Sequence, residues 1–148
     1  MTIPGSLREE HAHLHEVLEE ATKEEGPLGE AARAVMEVLQ PHFEKEEELA
    51  LPPLGMLTLS ADGPSADVDG MIELTERFSK ELPRMLEEHV IVAEKLEVMS
   101  VEAEKVGMEE YIAFTEDLLH HARVEEEIMY PASLLIGSYL RLWKARKG

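Results

Sequence analysis

Apolar residues recur at spacings of three and four along most of the chain, which is the period of one helical face. Leu7, Leu14, Leu18 and Ala21 form a first stripe that includes His11, with Ser6 and Glu9 set as a capping box and "GPLG" at Gly26 to Gly29 as a break. A second stripe runs through Val35, Val38, Leu39, His42, Glu46 and Leu49 to Pro52 and Pro53, with Pro41 a kink candidate. The third is longer: Met71, Leu74, Phe78, Leu82, Met85, His89, Val92, Leu96, Met99 and Ala103, with Pro83 inside it and Gly107 closing it. Tyr111, Phe114, Leu118, His121, Glu125 and Ile128 make a fourth, which Pro131 ends or bends. No strand pattern competes, so the expected fold is all-α, an antiparallel up-down four-helix bundle.

Two segments fall outside the stripes. "GMLTLSADGPSADVDG", Gly55 to Gly70, is turn-rich and aperiodic, a connection with room for a short helical turn and the one candidate lid. The tail "SLLIGSYLRLWKARKG" predicts a further amphipathic helix, carrying four of the fourteen basic residues in its last eight positions. Its Leu134, Leu135, Tyr139, Leu142 and Trp143 could cover one end of the bundle or face a second subunit in a homodimer. The organisation expected is one domain over residues 1–148, with a bundle at about 6–131 and a C-terminal segment at 132–148.

Chemistry enters where polar residues occupy apolar positions. Every stripe holds a histidine, and two hold a glutamate four residues later: His42 with Glu46, and His121 with Glu125. Residues at i and i+4 lie one turn apart on the same helix face, so each pair projects into the core together. A buried carboxylate must pair, protonate or bind a metal. One such pair reads as a salt bridge in a polar core layer. Two pairs, with a lone histidine on each remaining helix and no stripe lysine or arginine, favour a cation.

The chain also repeats itself. "HFEKEEELALP" from His42 matches "HARVEEEIMYP" from His121 at five of eleven positions, and "EEHAHLHEVLE" from Glu9 matches "EEHVIVAEKLE" from Glu87 at six. The chain therefore reads as two pseudo-symmetric helical hairpins, each supplying H and H-x-x-x-E. Four histidines and two carboxylates would saturate a single ion. Two ions could each take two histidines and share the glutamates, keeping an open position. Imidazole with carboxylate favours iron, manganese or zinc over calcium and magnesium, and an open position suits oxygen or peroxide chemistry.

Composition narrows the partners. With 32 acidic and 14 basic residues in 148, the net charge of -18 opposes nucleic acid and anionic lipid. The absence of cysteine excludes thiolate ligands and disulfides. No apolar run is long enough to span a membrane and the start lacks a basic leader, so a cytoplasmic protein is expected.

The ordered set resembles the hemerythrin-like family, the HHE cation-binding domains, over about Leu7 to Pro131. The family pattern of H, H-x-x-x-E, H, H-x-x-x-E falls on His11, His42, Glu46, His89, His121 and Glu125. The resemblance implies a four-helix bundle with a non-haem diiron centre, its two irons bridged by oxygen, although zinc or manganese would also suit these ligands. Ferritin-like bundles instead use Glu-x-x-His with glutamates on the other helices. The chain departs from the oxygen-carrying hemerythrins, which place a second histidine where Ala93 stands and an aspartate five residues after the last histidine; this argues against simple reversible oxygen transport.

Other polar groups have lesser expected roles. His15, four residues after His11, is a candidate extra ligand or outer partner, whereas His13 and His120 are out of phase. Glu47, Glu48, Glu126 and Glu127 rotate off the stripe toward a solvated shoulder or a supporting layer. Tyr111 and Tyr130 are core residues that could donate hydrogen bonds near the centre. The function expected is a diiron protein that binds or reacts with dioxygen, peroxide or nitric oxide, in sensing, scavenging or iron-centre repair. The alternative is a non-catalytic, metal-stabilised regulatory or interaction module.

Overall fold

The computed structural model describes residues 3–57 and 67–147, all of them helix or short connection. Helix α1 spans Gly5–Ala21, α2 Gly26–Lys45, α3 Val68–Lys105, α4 Glu109–Val124 and α5 Tyr130–Lys147. Helices α1 and α3 each pack against both α2 and α4, so the four long helices form a bundle around the predicted stripes, and α5 lies against α3. Of the candidate lid, Gly55 to Gly70, residues 58–66 lie outside the described residues; its start belongs to a 3-10 turn at Pro52–Leu57 and its end, from Asp67, caps and begins α3. No described helix is long and apolar enough to cross a membrane.

The helix ends follow local chemistry with one correction. The Ser6–Glu9 capping box does not form: α1 begins at Gly5, which puts Ser6 inside the first turn, and the Pro4 carbonyl accepts the Leu7 and Arg8 N–H groups instead. Asp67 caps α3 by accepting the Gly70 N–H at 3.0 Å. At the other end Gly107 adopts φ 72°, and the Met108 and Gly107 N–H groups bond the Ala103 and Glu104 carbonyls. That is the glycine-dependent stop expected from the sequence. Pro41 and Pro83 both lie within unbroken helix on exposed positions.

The largest departure from the sequence reading lies at the two repeated segments. Glu46–Ala50 and Glu125–Met129 are π-helical turns, in which the Leu51 N–H bonds the Glu46 carbonyl and the Tyr130 N–H bonds the Glu125 carbonyl, five residues back. The cause is the proline six residues after each glutamate. Pro52 and Pro131 have no N–H, and their rings would clash with the carbonyl four residues earlier in an α-helix, so the preceding turn widens by one residue. Pro131 therefore neither ends nor detaches the helix, because the π turn leads directly into α5. The extra residue also shifts the phase: Ile128, expected in the stripe, is 61% exposed, while Met129 and Tyr130 turn inward.

Of the leucines expected to dock the tail, Leu134 packs half-buried against the cluster of Leu49 and Phe78, and the closest approach is made by smaller residues. Ser133, Gly137 and Leu140 are buried, and Leu135 and Leu142 face outward. The Ser133 hydroxyl donates to the Ala50 carbonyl at 2.7 Å. A Cβ on Gly137 would run into the Thr75 side chain of α3. Gly137→Ala should therefore destabilise the protein by about 1–3 kcal/mol, the usual effect of overpacking. Urea denaturation measures it; an unchanged midpoint would show that α5 is not held this closely.

Candidate metal centre

The bundle core is divided by a polar layer. On one side lies an apolar cluster containing Leu14, Leu18, Leu39, Phe43, Val92 and Leu118, and on the other a cluster of Leu49, Phe78, Met85 and Tyr130. Between them sit His11, His42, Glu46, His89, His121 and Glu125, each no more than 7% exposed. All six residues singled out from the sequence are thus brought together. His15 is not: its side chain is 41% exposed with Nδ1 4.0 Å from Glu19. His13 and His120 are exposed.

The six divide into two groups of donor atoms. One comprises His42, Glu46, His89 and Glu125, the other His11, His121 and Glu125, so each group takes histidines from both hairpins and Glu125 belongs to both. Within the first, the His42 and His89 Nε2 atoms lie 2.9 Å apart, with Glu46 2.6 Å from His42 and Glu125 3.2 Å from His89. Within the second, the His11 and His121 Nε2 atoms are 3.1 Å apart, and Glu125 is 3.1 Å from His121 and 3.5 Å from His11. Glu46 reaches toward this group as well, 3.9 Å from His11.

The outward faces of the rings explain why the inner nitrogens are free to donate lone pairs. His42 Nδ1 donates to Glu88 at 2.9 Å, His89 Nδ1 to Glu126 at 2.8 Å and His121 Nδ1 to Glu10 at 2.5 Å. His11 Nδ1 lies 3.5 Å from Glu47 without a hydrogen bond. A proton fixed on Nδ1 leaves Nε2 as the lone-pair atom, the usual support for a metal-binding imidazole. Of the four glutamates expected on the shoulder or in a supporting layer, Glu126 supports His89 directly, Glu47 lies beside His11 without a hydrogen bond, and Glu48 and Glu127 form surface ion pairs with Arg77 and Arg123. Glu10 and Glu88 went unnoticed in the stripes because they precede His11 and His89 by one residue. The shared "EEH" of the two repeats was the available signal.

The donor set fits a metal. Both oxygens of Glu46 are buried without a hydrogen bond, and four Nε2 atoms converge on two carboxylates with no buried lysine or arginine among the described residues. Donor separations near 3 Å are also what adjacent ligands on one ion adopt, since metal–nitrogen bonds of about 2.1 Å at right angles span roughly 3.0 Å. Tyr130 adds a hydroxyl 3.2 Å from His89 Nε2, so it meets the centre directly. Tyr111 instead points toward Glu24, at 3.5 Å.

Without a metal, protons must balance these charges. Burial would lower the His42 pKa, but Glu46 and Glu88 outweigh it and raise it to about 9; for His121, Glu125 and Glu10 overcome burial in the same way, again to about 9. Burial, reinforced by the Glu125 charge, raises Glu46 to about 8. Burial opposes ionisation of Glu125 too, yet its contacts with Glu46 and the histidines hold it well below the ordinary carboxylate range. Two histidines and Glu46 thus bind protons more tightly folded than unfolded. Their stabilisation is present at low pH and is lost as pH rises, for Glu46 from 4.5 through 8 and for the histidines from 6.5 through 9. Metal-free protein should therefore unfold at lower urea at pH 9 than at pH 6, and a flat or rising profile would contradict this balance. Glu88 and Glu125, both lowered, act oppositely, losing their contribution as pH falls below 4.5.

A helical bundle with two buried histidine–carboxylate groups sharing one glutamate defines a cation-binding bundle. The chain belongs to the family described as the hemerythrin HHE cation binding domain, whose model matches residues 2–133. Comparison with curated proteins and with solved structures gives no significant match.

Proposed function

We propose that the protein is a non-haem diiron protein whose centre binds or reacts with dioxygen, peroxide or nitric oxide, in sensing, scavenging or repair of iron centres. The observation that carries the reading is the convergence of four Nε2 atoms on Glu46 and Glu125 in a layer closed above and below by apolar side chains. We assign His42, His89 and Glu46 to one ion, His11 and His121 to the other, and Glu125 to both. When bound, an iron pair supplies Lewis acidity, redox electrons and an open position for a small ligand.

The protein's own groups prepare that site. Glu88, Glu126 and Glu10 hold the protons on Nδ1 of His42, His89 and His121 and so fix the tautomers. Phe43 stacks on His11 with centroids 4.0 Å apart, and with Met85 and Val92 it keeps water from the layer. Burial, with the charges of Glu46 and Glu125, pushes the Tyr130 phenol well above its ordinary range, so its oxygen keeps a proton available as a hydrogen-bond donor beside His89.

A second reading, a metal-stabilised interaction module, draws on the outward face of α5. Leu135 is 69% and Leu142 68% exposed, and Leu135 and Tyr139 line an apolar cleft with Leu57. Spectra separate the two. Iron-loaded protein should show a near-ultraviolet charge-transfer band that changes on adding oxygen, peroxide or nitric oxide to the reduced form. A spectrum indifferent to all three, with chelator-sensitive thermal stability, would favour the module.

A further inference from the structure

The two donor groups are unequal. One has four members and the other three. The histidines of the four-member group are both pinned, His42 by Glu88 and His89 by Glu126, and Tyr130 also contacts His89. In the three-member group only His121 is pinned. His11 is 2% exposed, yet its Nδ1 has no hydrogen-bond partner and Glu47 stands 3.5 Å away. Its main restraint is the stacked ring of Phe43, which limits tilt but does not anchor a nitrogen.

This loosely held ring has a path to solvent beside it. A surface cleft of about 330 Å³ between α1 and α2 is lined by His11 and Phe43 together with Arg8, His15, Gln40 and Glu47. Glu44 lines it too, so two carboxylates stand against one guanidinium. The repeat shows that this polarity is peculiar to the first hairpin. Aligning His11 with His89 and His42 with His121 sets Arg8, His15 and Gln40 against Leu86, Ala93 and Leu119. Those three pseudo-symmetric positions offer an ion no polar side chain, Glu44 corresponds to Arg123, and Glu126, the counterpart of Glu47, is engaged by His89 Nδ1.

We propose that the ion held by His11, His121 and Glu125 is the exchangeable one, entering and leaving through the α1–α2 cleft as the His11 ring swings aside. The proposal rests on the dinuclear reading above and concerns divalent first-row cations. Glu47, half-exposed and adjacent to both the cleft and His11 Nδ1, offers the departing ion its first carboxylate outside the core, and His15 offers an imidazole further out. No covalent or redox step is involved, only exchange of ligands. The ion of His42, His89, Glu46 and Glu125 has more donors on better-fixed rings and stays longer.

The test is release kinetics. Protein loaded anaerobically with two equivalents of iron(II) is mixed with excess ferrous chelator, and the chelate absorbance is followed. Two phases of one equivalent each are expected, their rates separated by about tenfold or more, the scale on which outer partners alter metal binding. Ala12 also lines the cleft, and Ala12→Phe and Gln40→Phe, each adding bulk there, should retain both irons and slow only the fast phase several-fold. Val90→Phe, at the position pseudo-symmetric with Ala12, should change neither phase. Release of both equivalents in one phase, or a fast phase indifferent to both cleft substitutions, would overturn the port while leaving the dinuclear reading intact. A chain that takes up no iron overturns both.

Discussion

Glu46→Leu should make the metal-free protein more stable while removing its ability to hold two ions. Glu46 is wholly buried, neither of its oxygens has a hydrogen bond, and Glu125 faces it across the layer. Burial and that neighbouring charge disfavour its ionised form strongly enough to raise its pKa to about 8. Leucine has comparable volume and no charge to desolvate, and His42, whose raised pKa depends chiefly on Glu46, is left neutral and still bonded to Glu88 at high pH; no charge is stranded, and the apolar replacement should stabilise by about 1–4 kcal/mol, as it does for whole buried pairs. Urea denaturation in chelator at pH 9, where the wild-type carboxylate is ionised, should show a gain of that order, and metal analysis should show the loss. A destabilised metal-free variant would mean that Glu46 serves a structural salt bridge with His42.

Removing the metal from the wild-type protein should have the second large effect. An ion that binds only the folded chain stabilises it by about 4 kcal/mol when its free concentration is on the order of a thousand times Kd. For a domain of this size each kcal/mol moves Tm by about 2–4 °C, so chelation should lower Tm by roughly 10 °C. The drop should be larger at pH 9 than at pH 6, because protons on His42, His121 and Glu46 replace the ion more fully at the lower pH than at the higher. A calorimetric scan unchanged by chelator would leave the buried carboxylates without a cation.

The sequence was most legible where chemistry and period coincide. His11, His42, His89 and His121 each occupy a position where the helical period calls for an apolar side chain, and Glu46 and Glu125 follow one turn later. Their burial in one layer could therefore be read from spacing alone. The repeat made the two-hairpin organisation visible as well, and Glu126, the outer partner of His89, was legible as a residue just off the stripe. What escaped lay outside a single-helix picture. Glu10 and Glu88 serve histidines on other helices, His121 and His42, so no periodicity on their own helix reveals them.

The misread phase at Ile128 has a different origin. A stripe assumes a constant 3.6-residue turn, and the π turn forced by Pro131 breaks that assumption locally. In the tail, hydrophobicity pointed to Leu135 and Leu142, but close approach selects residues lacking bulk, here Gly137 against Thr75 of α3 and Ser133 against the Ala50 carbonyl. Ser6 illustrates a smaller lesson. The Ser6–Glu9 spacing of a capping box is present, but the chain enters helix two residues too early for Ser6 to act as its cap.

Four histidines and two glutamates of this chain are proposed to hold two irons, and counting the metal tests this most directly. Protein purified from iron-replete cells should contain about two irons per chain with near-ultraviolet charge-transfer absorption. The His42→Ala, His121→Ala variant, which takes one imidazole from each donor group, should lose both the iron and the band while keeping its helical circular dichroism. Iron-free wild-type protein, or a variant that retains its full iron, would contradict the account.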